Sequence, residues 1–194
     1  MSSSSVSIKI PKEEQLSDEW LFEFCMANKE LRIERDPDGK LLIMAPVGLL
    51  GSSYNNTVAS LLWVWNQKSK KGITFDSSAG FRLPNKAMRS PDAAWISNER
   101  WKNLGSKEKR RIASITPDFV IELRSESDSL AELKMKMKEW IQNGCKLAWL
   151  IDPIDQRAYI YRSSNTVDEI RSFDQVLKAK EIIAGFSIDL SHLK

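Results

Sequence analysis

Two strand-like segments of this chain open on Pro-Asp: Ser90-Pro91-Asp92-Ala-Ala-Trp-Ile96 and Thr116-Pro117-Asp118-Phe-Val-Ile-Glu122-Leu-Arg124. The second places Glu122 inside an apolar run, where a carboxylate is costly to bury without a positive neighbour. A lysine-rich stretch follows at once, Ala131-Glu-Leu-Lys134-Met-Lys136-Met-Lys138-Glu-Trp140. Splitting a phosphodiester at neutral pH requires charge stabilisation on the phosphate and a deprotonated water. A hard divalent cation held by carboxylates supplies both. Two acids on neighbouring strands, with a lysine near enough to orient the water, are therefore the inventory of a metal-dependent phosphodiesterase.

Strand alternation sets Asp118, Val120, Glu122 and Arg124 on one face, so Glu122 and Arg124 are offered together. Plainer roles stand beside the chemical ones. Asp92 and Asp118, each after a proline, could cap turns, and Glu122 could be a buried partner of Arg124. At about 100° per residue, Leu130, Leu133, Met137, Trp140 and Ile141 form one helical stripe, with Lys134 and Lys136 on its two shoulders. A shoulder lysine can lay its stem on the core and carry its head to a strand acid. Geometry alone leaves Lys134 and Lys136 tied, and either could be an ordinary solvated lysine.

The elements that must position these groups read as mixed α/β. Ser17–Lys29 forms a first helix with an apolar stripe of Trp20, Leu21, Phe24 and Cys25. Leu31–Arg35 and Leu41–Ala45 flank Asp36-Pro-Asp-Gly-Lys40, which is turn chemistry, and predict a hairpin. Ser52–Lys70 is a second, long helix with Val58, Leu61, Leu62 and Trp65 inward. Strands follow at Ile73–Asp76, Phe81–Pro84 and Pro91–Ser97, and one or two short helices at Asn98–Arg111. Phe119–Arg124 is a buried strand, Leu130–Asn143 a helix stopped by Gly144, and Leu147–Ile151 a central strand. Arg157–Tyr161 and one or two strands near Val167–Phe173 complete the pattern. The β-α-β order through 117–151 implies a parallel pair with a right-handed crossover, and hairpins at both ends add antiparallel strands, so the sheet is mixed.

Composition narrows the chemistry further. At 194 residues and 42% hydrophobic, with seven tryptophans, the chain suits one packed domain over residues 11–194, after a loose polar tail at 1–10. Nothing in it approaches the roughly 18–20 apolar residues of a membrane span, and no secretory leader is evident, which points to the cytoplasm. Cys25 and Cys145 are far apart and are expected as free thiols. With only these and His192, zinc sites of the Cys/His kind and Ser-His-Asp or Cys-His catalysis are set aside. Net charge is only +3. Basic residues nonetheless cluster at Lys68, Lys70 and Lys71, at Lys102, Lys107, Lys109, Arg110 and Arg111, and on the lysine helix. Such patches suit a phosphate backbone or are simply solvated faces.

Taken together, Ser90-Pro-Asp-Ala-Ala-Trp, Pro117-Asp-Phe-Val-Ile-Glu-Leu-Arg-Ser125, Lys136-Met-Lys-Glu-Trp140, Asn143-Gly and Trp149-Leu-Ile-Asp-Pro153 resemble the Uma-two family. That family of restriction-endonuclease-like proteins, abundant in cyanobacteria, lies within the PD-(D/E)xK nuclease superfamily. The resemblance runs from about Leu31 to Leu190. It implies a restriction-endonuclease-like α/β fold, a divalent metal (Mg²⁺ or Mn²⁺) and a homodimer. Asp92 and Glu122 match the metal-binding acids, with a backbone carbonyl near Leu123. Lys136, four residues before Trp140, matches a lysine that has moved from strand to helix, which separates it from Lys134. Glu34 matches an acid that assists the metal through water. Two positions depart from the pattern: Arg124 stands where the superfamily keeps its strand lysine, and Val47–Ser53 lacks a histidine that many relatives carry.

The reading is a Mg²⁺- or Mn²⁺-dependent DNA endonuclease. A weakly catalytic nucleic-acid-binding or assembly protein on the same fold is the alternative. A third possibility is a dimerisation scaffold using Trp63 or Trp101.

Overall fold

The computed structural model describes residues 6–8, 17–180 and 182–194, with the backbone alone at 6–8. Two sheets meet in it. The larger contains β4 (Gly72–Asp76), β7 (Ala93–Ser97), β8 (Phe119–Leu123), β9 (Leu147–Asp152), β10 (Arg157–Arg162) and β11 (Val167–Ile170). Its order is β11-β10-β9-β8-β7-β4. Only β8 and β9 run parallel in it, joined by α4 (Leu130–Gln142), and the other ladders are antiparallel. This is the mixed sheet and single crossover that the 117–151 pattern implies.

Period-two alternation decides which helix covers which face. Trp95, Phe119, Ile121, Leu147, Trp149 and Ile151 point to one side, where Val58 and Leu62 of α2 (Leu49–Ser69) pack. Ala94, Ile96, Val120, Ala148 and Leu150 point to the other, where Met137, Trp140 and Ile141 of α4 pack. The side chain of Glu122 shares the parity of Val120 and so faces α4. That choice of face places a carboxylate under the lysine helix.

The smaller sheet is antiparallel, in the order β1-β3-β2-β6-β5, from β1 (Val6–Ile8), β2 (Arg32–Arg35), β3 (Leu41–Met44), β5 (Phe81–Arg82) and β6 (Met88–Arg89). The β2–β3 hairpin turns through Gly39 at φ +90°, a conformation costly for any residue with a Cβ. α1 (Asp18–Ala27), capped by Ser17 accepting from the Trp20 amide, buries Leu21 against Ile33, Leu41 and Met88. A two-stranded ribbon, β12 (Val176–Lys178) with β13 (Ser187–Asp189), and the last turn Leu190–Leu193 close the α2 side.

Several boundaries differ from expectation. α2 begins three residues early, at Leu49, because Gly48 provides an extended N-cap. Asp92 lies one residue ahead of β7 instead of inside it. Of the polar tail expected at 1–10, Val6–Ile8 pair with Leu41–Ile43 as β1, and the rest falls outside the described residues. The short β5–β6 pair carries too few residues to show a period, so the smaller sheet was not foreseen as separate, and neither was the β12–β13 ribbon. α3 (Asn98–Lys102) and a single 3-10 turn at Glu108–Arg110 fill the helical insertion. Cys25 and Cys145 are free, and among the described residues no helix is long and apolar enough to cross a membrane.

Candidate active site

Antiparallel pairing of Ala93 with Ile121 carries Asp92, one residue upstream, to the side of Glu122, one residue downstream. Asp92 Oδ2 accepts the Leu123 amide at 2.8 Å, which locks the two acids' backbones together. Glu122 is 4% exposed, and its Oε1 accepts the Trp140 indole N–H at 3.0 Å and faces Lys136 Nζ at 2.9 Å. Lys136 also reaches Glu34 Oε1 at 2.9 Å, across from the smaller sheet. Glu34, 3% exposed, accepts the Ser90 amide at 2.9 Å and faces Arg89 Nη1 at 3.3 Å. One ammonium is thus shared by two buried carboxylates from different sheets.

The shoulder lysines separate cleanly. Lys134 lies over the Tyr159 ring, 4.0 Å from its centroid, and Lys138 is exposed. Only Lys136 points to the acids. Arg124 does not join them, because its guanidinium is held by Asp152 at 2.8 Å and Asp155 at 2.9 Å. The acid-x-base pair on the strand is therefore not a contact. Asp118, also fully buried, sits at the other end of β8, where it accepts the Ser97 amide and faces Arg100 and Lys146. It is the structural acid of the two Pro-Asp segments.

Charge is distributed unevenly among the three acids. Burial pushes Glu122 up to about 7, with Asp92 and Glu34 adding to the rise and Lys136 and the Trp140 N–H opposing it. Burial likewise raises Asp92, against the Leu123 amide, Lys136 and Arg32. Glu34 feels the same burial, yet Lys136, Arg89 and the Ser90 amide outweigh it and hold the carboxyl below its ordinary value. Lys136 is held above its usual value, because Glu122 and Glu34 overcome the burial that would lower it. The site therefore contains a firmly protonated lysine, a firmly ionised Glu34, and two carboxyls whose ionisation is costly as they stand.

These acids open into a cleft of about 720 Å³ that Arg32, Tyr54, Met44 and Met135 also line. A larger cleft, about 910 Å³, is lined by Arg35, Arg82 and Arg100 among others and holds none of the candidate residues. Among the described residues no group of three or more His, Cys, Asp or Glu side chains could hold a metal ion by itself. The donor set is the two carboxylates of Asp92 and Glu122. It suits a hard ion that keeps several waters, and such an ion would offset the cost of ionising Asp92 and Glu122. It does not suit zinc.

A family model described as "Putative restriction endonuclease", Uma2, matches residues 18–191. The chain belongs to the Uma2 family. The Uma2 fold also matches the crystal structure of "a putative nuclease belonging to DUF820 from Anabaena variabilis ATCC 29413". The TM-score is 0.70, over 84% of this chain and 90% of that one, at 18% identity, a likeness of fold. No curated protein matches at a significant level.

Sequence reasoning on this Uma2 chain missed Arg89 and Glu139. Arg89 is 7% exposed and meets Glu139 Oε2 at 2.6 Å and Asp36 Oδ1 at 2.8 Å besides Glu34. A charge two residues before a short Pro-Asp strand reads as surface, and no local period marks it as buried. Trp140 was legible only as core, although its N–H is spent on Glu122. Most of the basic clusters are solvated faces: Lys68, Lys70, Lys71, Lys102, Lys107, Arg110 and Arg111 are exposed, while Lys109 lies over Trp101.

Proposed function

We propose that this chain is a Mg²⁺- or Mn²⁺-dependent endonuclease that hydrolyses DNA phosphodiester bonds, working in the cytoplasm as a homodimer. The observation that carries the reading is one lysine held between two buried acids, 2.9 Å from each, beside a third acid on the adjoining strand segment. Asp92, Glu122 and the Leu123 backbone carbonyl would hold the ion. Bound there, a divalent cation would neutralise charge on the phosphate and lower the pKa of its water.

The chain's own residues supply the rest. Lys136 is a donor and not a base, because its carboxylate neighbours keep it protonated. Of the ammonium's three N–H bonds, Glu34 accepts one, and a second lies toward ion-paired Glu122. The third would orient the attacking water. Glu34, ionised and anchored by Ser90 and Arg89, fixes the lysine and would reach the ion through water. Trp140 holds the Glu122 carboxylate in its rotamer and walls one side from solvent. The homodimer is what the family resemblance implies, and two sites would let each attack one strand of a duplex.

Supercoiled plasmid incubated with Mn²⁺ or Mg²⁺ tests this, with EDTA and Glu122→Ala run in parallel. Nicking and linearisation that vanish in both controls are the expected outcome. Salt-sensitive DNA binding without cleavage, unchanged by EDTA, would instead make the chain a binding protein on a nuclease fold.

A further inference from the structure

Arg89 sits at the end of β6 with its side chain 8% exposed, and its guanidinium spans three carboxylates from three places in the fold. Nε meets Glu139 on α4 at 2.6 Å, Nη1 meets Glu34 on β2 at 3.3 Å, and Nη2 meets Asp36 in the hairpin turn at 2.8 Å. Glu139 is three residues after Lys136, so both project from one side of α4. Glu139 is itself held by the Asn85 amide group at 2.8 Å, and Asn85 N–H donates to Asn143 Oδ1 at 2.9 Å. Arg89 is thus the tie between the helix carrying the lysine and the hairpin carrying the acid that receives it.

We propose that Arg89 is a positioning residue of the acid–lysine site: its three-way hold on Glu139, Glu34 and Asp36 fixes the rotation of α4 and places Lys136 between Glu34 and Glu122. Its relevance to catalysis rests on the nuclease reading above, but the geometric claim does not. The guanidinium meets the three carboxylates from three separate nitrogens, Nε, Nη1 and Nη2. A lysine ammonium of the same charge would have to serve all three from one nitrogen on a shorter side chain, and cannot reproduce the arrangement. Glu34 would otherwise keep one oxygen buried without a cation, and would draw Lys136 away from Glu122.

The test reads Lys136 directly, without cleavage. Wild type, Arg89→Lys, Arg89→Met and Glu139→Gln are labelled briefly with acetic anhydride at about pH 8, and each helix lysine is quantified by mass spectrometry. Lys136 should be slow to label in wild type and label about tenfold faster in all three variants, as local opening becomes easier. Lys134 on its tyrosine ring and exposed Lys138 should keep their wild-type rates. A parallel rise at all three lysines would make Arg89 a mere strut for the helix and overturn the proposal. So would wild-type protection of Lys136 in Arg89→Lys, since charge alone would then suffice. Glu139→Gln keeps the question answerable if Arg89→Met does not fold. A wild type without nicking activity would sink the nuclease reading and leave this result standing.

Discussion

Glu122→Gln should make the metal-free protein more stable at alkaline pH, and the size of the gain follows from the burial of one carboxyl. Glu122 is pushed from an ordinary 4.5 to about 7, and burial is the largest cause. At about 1.4 kcal/mol for each factor of ten, ionising it in the fold costs roughly 3 kcal/mol. The sign follows from linkage. Between pH 4.5 and about 7 the folded state holds a proton that the unfolded chain has released. Stability therefore falls as the pH rises through this window and levels off above about 7. Asp92 moves in the same sense. Glu34 moves oppositely, so its contribution is lost only as the pH falls below the usual carboxylate range. Glutamine keeps an oxygen for the Trp140 N–H and carries no charge. In urea titrations with EDTA, the variant should exceed wild type by up to roughly 3 kcal/mol at pH 8.5. The excess should shrink to about 1.4 kcal/mol at pH 5.5, one unit above the unfolded value, and vanish below about pH 4.5. Mn²⁺ at about a hundred times its dissociation constant should then return about 2.7 kcal/mol to wild type at pH 8.5 and nothing to the variant. A variant less stable than wild type by the same margin at both pH values would refute the reasoning. Glu122 would then be a net stabilising partner of Lys136, and its burial would not be a store of metal affinity.

Four further outcomes follow from the structure. Lys136→Met leaves Glu34 and Glu122 buried without their shared cation. Breaking such a pair costs about 3 kcal/mol or more, a fall of roughly 6–12 °C in melting temperature for a chain this size; the loss should shrink at pH 5.5, where Glu122 is neutral. Lys134→Met, which gives up only a tyrosine contact, should stay within about 1 kcal/mol in the same scan. Arg124→Ala should cost about 2 kcal/mol in urea, because fully buried Asp152 keeps the Ile154 and Asp155 amides but loses its cation, while calorimetric Mn²⁺ affinity stays unchanged. Gly72→Ala should destabilise by about 1–3 kcal/mol without touching the site, since a Cβ there would lie 2.2 Å from the Ile96 carbonyl and 2.4 Å from the Trp95 ring.

Legibility in the sequence tracked the range over which each constraint acts. Apolar periods of two and of about 3.6 are local, so β8, α4 and β9 could be drawn nearly residue by residue, and their order forced the parallel crossover. Glu122 stood out for the same reason, as an acid set in a patterned strand, and Asp92 as an acid directly ahead of one. Resemblance separated Lys136 from Lys134, a choice that the helical wheel left open. The wheel lacked the second sheet. Glu34 is 102 residues from Lys136 in the chain, and their contact joins β2 of the smaller sheet to the middle of α4. Arg89 was invisible for a stronger reason: its three partners lie on three elements, and nothing local distinguishes it from a solvated arginine.

A lysine carried on the helix, as Lys136 is, sets a different demand for rigidity from one carried on the strand. On a strand, a lysine at position 124 would share its backbone ladder with Glu122, and sheet register alone would place it. On α4, Lys136 is placed by helix rotation, and one residue of slippage swings it by about 100°. The helix is accordingly fixed at both ends and in the middle. Ser129 Oγ accepts the Glu132 amide at the start, and Gly144 at φ +100° stops the end. Trp140, one turn after Lys136, is buried and donates to Glu122. Glu139 is held by Arg89. Lys136, Glu139 and Trp140 thus form a single rigid comb, in which two teeth locate the third. Arg124, two residues after Glu122 on the strand, is turned away from the acids; it pairs with Asp152 and Asp155 and braces the ends of β8 and β9. A cation delivered to Glu122 from the helix and a helix fastened against rotation are two sides of one arrangement.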